Sequence, residues 1–526
     1  MPTENSQPAP AQEYPDGSYA WYMLGVLVVV YVLNFVDRQL LAILAPDLKR
    51  DLGISDSDFG FLYGTAFGVF YALFGIPLGK LADRWLRVRL LTLGLGLWSL
   101  MTALSGLSRN FTQLALARVG VGIGEATLSP CAYSLIGDYF PPQRRATALG
   151  IYSTGLYIGS GVALYVGGTI VGEWNAAFPK GTAPLGLAGW QAALLMVGLP
   201  GLLVALWVAT LREPLRGRLD SDPASLEADG SPWPEFFRDL ADIVPPFTLL
   251  GAARRGSSAF VAHLGVFAFA AFAVWSAVAL LGDPAQWIAF GVGCYAVASW
   301  LSALRFRDPA AFSALFRSAP FVGVTIGYAL VSFVGYANIG FAPLYAIQEL
   351  HAAPQDAAFM LGGIGALGGA AGVVLGGLAA DRIARGGRHS RRVGLVIFTA
   401  TGTMLLHAAM YSAPSLPVYY VTAMAMVLCM SATLGGASGT IVNIVPPTLR
   451  GTAAAAFLLG TNLIGLALGP YAAGRLSAAF GDLGLGLTAL TAAWPLTLIA
   501  LVAAFRGLPR SAASPAISAP WSKRRR

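Results

Sequence analysis

The sequence predicts an all-α integral membrane protein with about 14 membrane spans. Hydrophobic residues make up 56% of its 526 residues and charged residues only 11%, whereas a typical soluble protein has about 25% charged residues. The mean hydropathy is +0.64, and apolar runs of about 20 residues, the length that a membrane helix needs, recur along the chain. A soluble protein of this length could not cover its surface with so few charges. The composition therefore excludes a disordered chain, a disulfide scaffold and a nucleic-acid binder.

The apolar runs fall into a group of six, a pair and a second group of six. This order predicts two six-helix halves with an inserted two-helix hairpin. The predicted parts are a cytoplasmic tail (1–19), an N-terminal half (20–211), a central linker (212–317) with the hairpin at 259–304, a C-terminal half (318–506) and a basic cytoplasmic tail (507–526). The predicted spans are 20–45, 57–83, 88–108, 111–139, 145–172, 187–211, 259–281, 286–304, 318–347, 356–382, 392–411, 416–445, 451–478 and 483–506.

The distribution of the 34 Lys and Arg residues predicts the orientation. With a cytoplasmic N-terminus, 27 of them lie on the cytoplasmic side and five lie outside, which is the bias that the positive-inside rule describes. An even number of spans then places both termini in the cytoplasm. Richness in alanine and arginine suggests a bacterial chain and therefore a multi-pass protein of the plasma (inner) membrane.

Two motifs recur in the same order in both halves. The segment Gly79-Lys80-Leu81-Ala82-Asp83-Arg84 is matched by 377–382, and the segment 141–147 is matched by 446–452 at nearly the same spacing. Both copies of each motif fall on predicted cytoplasmic loops, so the halves are parallel repeats. Parallel repeats with a binding site between them are a transporter plan. Small residues four apart, such as Gly155/Gly159 and Gly465/Gly469, predict close helix contacts.

These motifs carry a family resemblance. The loop Gly79-x-x-Ala82-Asp83-Arg84-x-x-Arg87-x-Arg89 resembles the signature loop of the Major Facilitator Superfamily, and the resemblance covers residues 20–211 and 318–506. Within that superfamily, two further elements are similar to the spinster family. They are Asn34-x-x-Asp37-Arg38 in the first span, and Arg118-x-x-x-Gly122-x-Gly124-Glu125-Ala126 with Asp138 in the fourth.

The resemblance implies a transporter fold and a class of cargo. Spinster relatives move amphiphilic lipids such as lysophospholipids and sphingosine phosphate, and a proton-coupled cycle of alternating access is commonly proposed for them. The chain departs from the superfamily's usual 12 spans by its extra hairpin. Its fifth-span signature also lacks the expected proline, which weakens the case for an exporter.

Four ionisable residues stand out inside the predicted spans of the N-terminal half: Asp37, Arg38, Arg118 and Glu125. Charges inside a membrane are expensive and usually mark a functional site. Arg38 and Arg118 are predicted to bind an anionic substrate group, because guanidinium matches phosphate and carboxylate. Asp37 and Glu125 are predicted to exchange a proton. The alternative is a structural ion-pair network that locks the first span to the fourth.

The second half has no acid or base near the middle of its spans. It offers polar uncharged groups instead, of which Tyr336 and Asn338 are predicted to bind substrate. One polar wall facing a mostly apolar wall suits an amphiphile better than a sugar.

A latch is predicted on the cytoplasmic side. In superfamily relatives the loop carboxylate, here Asp83, meets the start of the eleventh core span when the inner side is closed. The alternative is a basic loop that serves only as a topology signal. The predicted cytoplasmic gate comprises Asp83, Arg84, Arg87, Asp138, Arg145, Asp381 and Arg450.

The leading functional prediction is a secondary active transporter of an amphiphilic, anionic lipid, coupled to protons. The alternatives are an organic-anion symporter or multidrug exporter of the same superfamily and, from another class, a membrane lipid receptor. The scattered histidines and the lack of a nucleophile motif argue against an enzyme. No cofactor, metal site or nucleic-acid partner is expected; the expected partners are the lipid substrate, protons and membrane lipids, and the expected state is a monomer.

Overall fold

The protein is built from helices that cross the molecule in alternating directions. The computed structural model describes residues 17–178, 183–216, 231–245, 247–383, 389–445 and 449–508, and the regular elements in these ranges are helical. The N-terminal half comprises α1 (Gly17–Leu52), α2 (Asp56–Ala82), α3 (Arg87–Ser105), α4 (Phe111–Glu125), α5 (Leu128–Tyr139), α6 (Pro142–Ala177) and α7 (Gly189–Ala209). The linker and hairpin comprise α8 (Trp233–Ile243), α9 (Phe247–Arg254), α10 (Ser257–Leu281), α11 (Pro284–Arg307) and α12 (Pro309–Phe316). The C-terminal half comprises α13 (Ala319–Gln348), α14 (Pro354–Ile383), α15 (His389–Tyr411), α16 (Leu416–Ile444), α17 (Thr452–Phe480) and α18 (Leu483–Gly507).

Thirteen of the described helices are long and apolar enough to cross a membrane. The predicted fourth span, 111–139, is not among them, because a break at Ala126 and Thr127 divides it into α4 and α5. The Thr127 hydroxyl donates to the Gly124 carbonyl oxygen at 2.8 Å and so satisfies a carbonyl at the end of α4. With α4 and α5 taken as one span, the predicted fold of two six-helix halves and an inserted hairpin is confirmed.

Glycines let neighbouring helices approach at the level of the backbone. A methyl group placed on Gly159 of α6 would lie 2.5 Å from the Val32 carbonyl oxygen of α1. One placed on Gly469 of α17 would lie 2.2 Å from the Phe333 carbonyl oxygen of α13. A larger side chain at either position would force the helices apart. The predicted role of these small-residue pairs in helix contacts is confirmed.

The two halves close on each other at one side of the molecule. We call the side that carries the signature loop 79–89 the signature side, and the opposite side the distal side. On the distal side α6 meets α14, where a methyl group on Gly161 would lie 3.5 Å from the Gly362 carbonyl oxygen. There α2 also meets α17, where a methyl group on Gly474 would lie only 2.1 Å from the Asp56 carbonyl oxygen. The distal side is therefore closed in this conformation.

The seam between α2 and α17 contains matching irregularities. α2 has a π-helical turn at Phe61–Thr65, and α17 has one at Thr461–Leu466. The turns face each other, since a methyl group on Gly64 would lie 2.4 Å from the Leu466 carbonyl oxygen. Such turns occur frequently at functional sites. The hairpin helix α11 packs against both of them.

The short helix α8 ties the signature loop to the hairpin. Its Asp239 accepts from Lys80 Nζ at 3.0 Å and from Arg307 Nη1, at the end of α11, at 2.9 Å. Asp242 also pairs with Arg307. Burial raises the pKa of the Asp242 carboxyl, and the neighbouring Arg307 and Arg255 act in the opposite direction. The signature-side end of the hairpin is thus attached to the N-terminal half.

A disulfide across the α6–α14 seam tests the closed distal side. An ideal Cβ on Gly168 would lie 3.8 Å from Ala358 Cβ, which is the usual Cβ–Cβ separation in a disulfide. We expect the pair Gly168→Cys and Ala358→Cys to cross-link on mild oxidation, in a background where Cys131, Cys294 and Cys429 are replaced by alanine. Mass spectrometry before and after reduction measures the bond, and each single cysteine variant is the control. Two thiols that react with a maleimide but do not join would contradict this conformation.

Candidate functional site

Four ionisable side chains are buried together between α1 and α4. Arg38 Nε donates to Glu125 Oε2 at 2.6 Å. Asp37 and Arg118 lie close to this pair and are 3% and 1% exposed, respectively. The structure therefore brings together the four charged residues that the sequence predicts as the proton and substrate site.

Two glycines set the position of Glu125. A methyl group on Gly122 would lie 2.6 Å from the Phe67 carbonyl oxygen of α2, and one on Gly124 would lie 2.8 Å from the backbone nitrogen of Trp98 in α3. α4 thus approaches both neighbours at backbone distance. Glu125 is the last residue of α4, immediately before the break. The sequence motif Gly122-x-Gly124-Glu125 is therefore the end of a helix that packs closely against two other helices of the N-terminal half.

Arg38 lies in an aromatic cage. Its Cζ is 4.5 Å from the centroid of the Tyr71 ring, 4.8 Å from that of Phe67 and 5.2 Å from that of Phe35. Arg118 approaches the Phe67 ring as well, at 5.3 Å. Ring faces attract cations, most strongly where water is excluded. The cage therefore holds the Arg38 guanidinium in place in addition to its bond with Glu125.

The charged cluster is incompletely paired. Among the described residues, neither Asp37 nor Arg118 has an ion-pair partner within 4 Å, and three buried atoms lack a hydrogen-bond partner: Asp37 Oδ1, Arg118 Nε and Glu125 Oε1. Buried polar groups are normally satisfied, and a buried charge without a partner is destabilising. These atoms are available to a further partner.

A central cavity lies next to the cluster. Its volume is about 230 Å³, and it is enclosed by α1 and α6 of one half and α13, α14 and α16 of the other. Tyr336 and Asn338, the predicted substrate-binding residues of the C-terminal half, both line it. The Asn338 Oδ1 accepts from the Tyr411 hydroxyl at 2.8 Å, which fixes the orientation of the amide. Its walls are mainly apolar, with Leu156, Leu164, Leu361, Ala423, Val427 and Leu434 among the lining residues.

Arg38 is the member of the ion pair that reaches toward open space. Its side chain is 15% exposed, whereas that of Glu125 is 0% exposed. Phe35, which contacts Arg38, and Gln39 one turn further line the cavity. The predicted cations Arg38 and Arg118 themselves do not line it. Of the ion pair, Arg38 is thus the more accessible member, and it reaches the cavity wall through its contact with Phe35.

Of the seven predicted gate residues, three form ion pairs, one does not within the described residues, and the side chains of the other three are outside the described residues. Arg87 pairs with Asp138 and, at 2.8 Å, with Glu213, and Arg84 pairs with Glu235 of α8 at 2.5 Å. Asp83 has no ion pair within 4 Å among the described residues; burial raises the pKa of its carboxyl, and Arg216, Arg87 and Arg84 act in the opposite direction. The side chains of Arg145, Asp381 and Arg450 lie outside the described residues.

Several contacts of the site were not anticipated from the sequence. Phe67 and Tyr71 lie four residues apart on α2 and so share one face, which is the pattern that could have indicated the cage around Arg38. The acids Glu235 and Asp239 face the signature loop because α8 folds beneath it. The sequence of the polar linker does not indicate that α8 packs against the signature loop.

An all-helical membrane protein of two similar halves, with buried charges beside a cavity between them, has the architecture of a transporter. The family model of the Major Facilitator Superfamily matches residues 27–334, which is more than half of the chain. The chain therefore belongs to the Major Facilitator Superfamily. This agrees with the prediction that it is not an enzyme.

Curated relatives and solved structures refine this placement. An MFS-type efflux pump of Mycolicibacterium smegmatis is 34% identical over 214 residues, which are 41% of this chain and 46% of the pump. A probable L-galactonate transporter of Escherichia coli is 31% identical over 181 residues, 34% of this chain and 37% of that protein. The matched stretch spans less than half of each relative.

One solved structure matches over almost its whole length. It is a bacterial homolog of the human lysosomal transporter Spinster, in an inward-facing and occupied conformation. It is 27% identical, has a TM-score of 0.64, and the match covers 93% of this chain and 94% of that one. The resemblance to the spinster family is confirmed.

The incomplete pairing of the cluster predicts opposite effects for its two arginines. Arg38→Met leaves the Glu125 carboxylate buried without its counter-ion and should lower the stability by about 3–5 kcal/mol. Arg118→Met removes a buried cation that has no ion-pair partner within 4 Å among the described residues, and should leave stability within about 1 kcal/mol of the parent, or raise it. Thermal unfolding of the purified protein in detergent ranks the variants. A loss in Arg118→Met as large as that in Arg38→Met would support the purely structural alternative.

Proposed function

We propose that this protein is a secondary active transporter that moves an amphiphilic, anionic lipid of the lysophospholipid or sphingolipid type by alternating access, coupled to protons. The observation that carries the proposal is the position of Arg38. Its side chain is partly exposed, pairs with a wholly buried carboxylate, Glu125, and contacts Phe35, which lines the mainly apolar cavity. An acyl chain suits the apolar walls, and a phosphate or carboxylate group suits the guanidinium.

Competition for Arg38 supplies the coupling. An anionic headgroup that binds Arg38 withdraws the counter-ion of Glu125. A buried carboxylate without a counter-ion is costly, so Glu125 takes up a proton as the substrate binds. Asp37 and Arg118, buried next to this pair, form the second acid and the second cation of the site. Release of the substrate returns Arg38 to Glu125 and expels the proton.

The orientation follows from the positive charge. We propose that the signature side faces the cytoplasm of a bacterium, since it carries most of the Lys and Arg residues. With its distal side closed, the described conformation is then inward-facing. The solved spinster homolog that matches this chain is also described as inward-facing.

The cytoplasmic gate works by an exchange of partners. In the described conformation Asp83 has no ion-pair partner within 4 Å in the described residues, and Lys80 and Arg84 are held by acids of α8. When the inner side closes, Asp83 meets the start of α17, where a carboxylate is favoured by the positive end of the helix.

A second candidate keeps the fold and changes the cargo. The galactonate transporter and the efflux pump among the relatives support an organic-anion symporter or a drug exporter. The apolar cavity wall favours the lipid over a small sugar acid. A receptor would bind the lipid without moving it.

Uptake into proteoliposomes tests the proposal. Radiolabelled lysophospholipid should be transported by the reconstituted protein, and more rapidly with an imposed pH gradient than without one. Unlabelled galactonate and a cationic dye serve as competitors. Inhibition of uptake by galactonate alone would favour the organic-anion candidate, and saturable binding without uptake would favour the receptor.

Glu125→Gln should abolish the stimulation by a pH gradient. The amide keeps the size of the side chain but cannot exchange a proton, and it still accepts a hydrogen bond from Arg38. Substrate exchange without a gradient should persist. Asp51→Asn, at the distal end of α1 and away from the cavity, is the matched control. Full stimulation in the Glu125 variant would exclude this residue as the coupling site.

Asp83→Asn should favour the inward-facing conformation. A carboxylate at a helix start is worth up to about 2 kcal/mol in a partly buried site, which moves a balanced equilibrium by about an order of magnitude. The Gly168→Cys/Ala358→Cys pair should therefore cross-link more rapidly in this variant, while substrate affinity changes much less than turnover. Equal cross-linking rates in variant and parent would mean that the basic loop is only a topology signal.

A further inference from the structure

The inserted hairpin covers the seam between the two halves. Its helix α11 packs against α2 of the N-terminal half and against the π-helical turn of α17 in the C-terminal half. Near the middle of α11, a methyl group on Gly293 would lie 2.9 Å from Leu463 Cδ1 of α17 and 3.1 Å from Val69 Cγ1 of α2. One residue of the hairpin is thus in contact with both halves.

The distal turn of the hairpin is attached to α17. The Tyr471 hydroxyl donates to Asp283 Oδ2 at 2.9 Å, and its ring packs edge-on against Trp287 at 5.6 Å. Arg475 Nη2 donates to the Leu281 carbonyl oxygen at 2.9 Å. Asp283 has a φ of 52°, a conformation that aspartate and asparagine tolerate better than most residues. A charged hydrogen bond and a cation therefore hold the turn to the C-terminal half.

The same end of the hairpin also reaches the N-terminal half. The Thr65 hydroxyl of α2 lies 2.6 Å from Gln286 Oε1 of α11 and 2.5 Å from the Ala467 carbonyl oxygen of α17. One hydroxyl proton is shared between the hairpin and the opposite half. At the signature side the hairpin is attached to the N-terminal half again, through Arg307, Asp239 and Lys80.

We infer that the hairpin is a clasp that holds the distal side closed. Its distal end is bonded to α17 and its signature end to the loop that follows α2. A rocking motion that separates the distal ends of α2 and α17 must therefore break bonds of the hairpin at one end or the other. The clasp goes beyond the proposed function, because it acts on the equilibrium between conformations whatever the cargo is.

Labelling of a distal cysteine tests the clasp. Ala358 is 0% exposed with the distal side closed, so Ala358→Cys, in the background without the three native cysteines, should react with a membrane-impermeant maleimide only when that side opens. Adding Tyr471→Phe removes one hydrogen bond to a charged acceptor and should speed labelling roughly tenfold or more. Asp283→Asn, which keeps the backbone conformation and removes the charge, should act in the same direction. The two changes together should be less than additive, because they weaken one bond.

Tyr419→Phe is the matched control. It also removes a hydroxyl, but that hydroxyl donates to the Ala342 carbonyl oxygen within the C-terminal half. It should lower thermal stability without changing the labelling rate. Labelling of the Tyr471 and Asp283 variants at the rate of the Tyr419 control would overturn the clasp. If the Tyr471 variant does not fold, as judged by size-exclusion chromatography, Asp283→Asn decides alone.

Discussion

The buried ion pair between Arg38 and Glu125 is the interaction on which the N-terminal half depends. A charge in a dry interior needs a counter-charge at contact distance, and that distance requires α4 to approach α2 and α3 at backbone level. Gly122 and Gly124 permit the approach, and the break after Glu125 ends the helix where the carboxylate meets Arg38. The aromatic rings around Arg38 then replace the water that such a cation has lost.

The two halves share a topology but divide the chemistry between them. The N-terminal half supplies the charged residues of the cluster, and the C-terminal half supplies much of the apolar wall, with Tyr336 and Asn338 among its polar residues. Both halves have the same helix order, a signature loop and a π-helical turn that faces its counterpart in the other half. These shared features determine how the helices pack and move. Charges carry no such constraint, and inside a membrane they usually mark a functional site.

Much of this arrangement could be predicted from the sequence. Hydropathy predicts the positions of the spans, because a membrane permits little besides helices. Charged residues are rare inside such spans, and this singles out Asp37, Arg38, Arg118 and Glu125 as candidate site residues. The pairing of Arg38 with Glu125 could not be predicted, since it depends on which face of α1 meets the end of α4. The break in the fourth span does have a sequence signal, because Pro130 cannot donate a backbone hydrogen bond to the carbonyl four residues earlier, at Ala126. The contacts of α8 with Lys80 and Arg84 depend on a tertiary placement that a polar linker does not encode.

The linker and hairpin connect the two sides of the molecule mechanically. The same cations, Lys80 and Arg84, that flank Asp83 in the signature loop are bound by α8 when the distal side is closed. A surface ion pair is worth little alone, but α8 also holds Arg307, and through it the hairpin, whose far end bonds to α17. In the proposed cycle, the contacts that a closing inner gate rearranges are therefore joined to those that hold the distal side shut. Two rigid halves can exchange such contacts only together, so in the proposed cycle opening at one side and closure at the other become a single step.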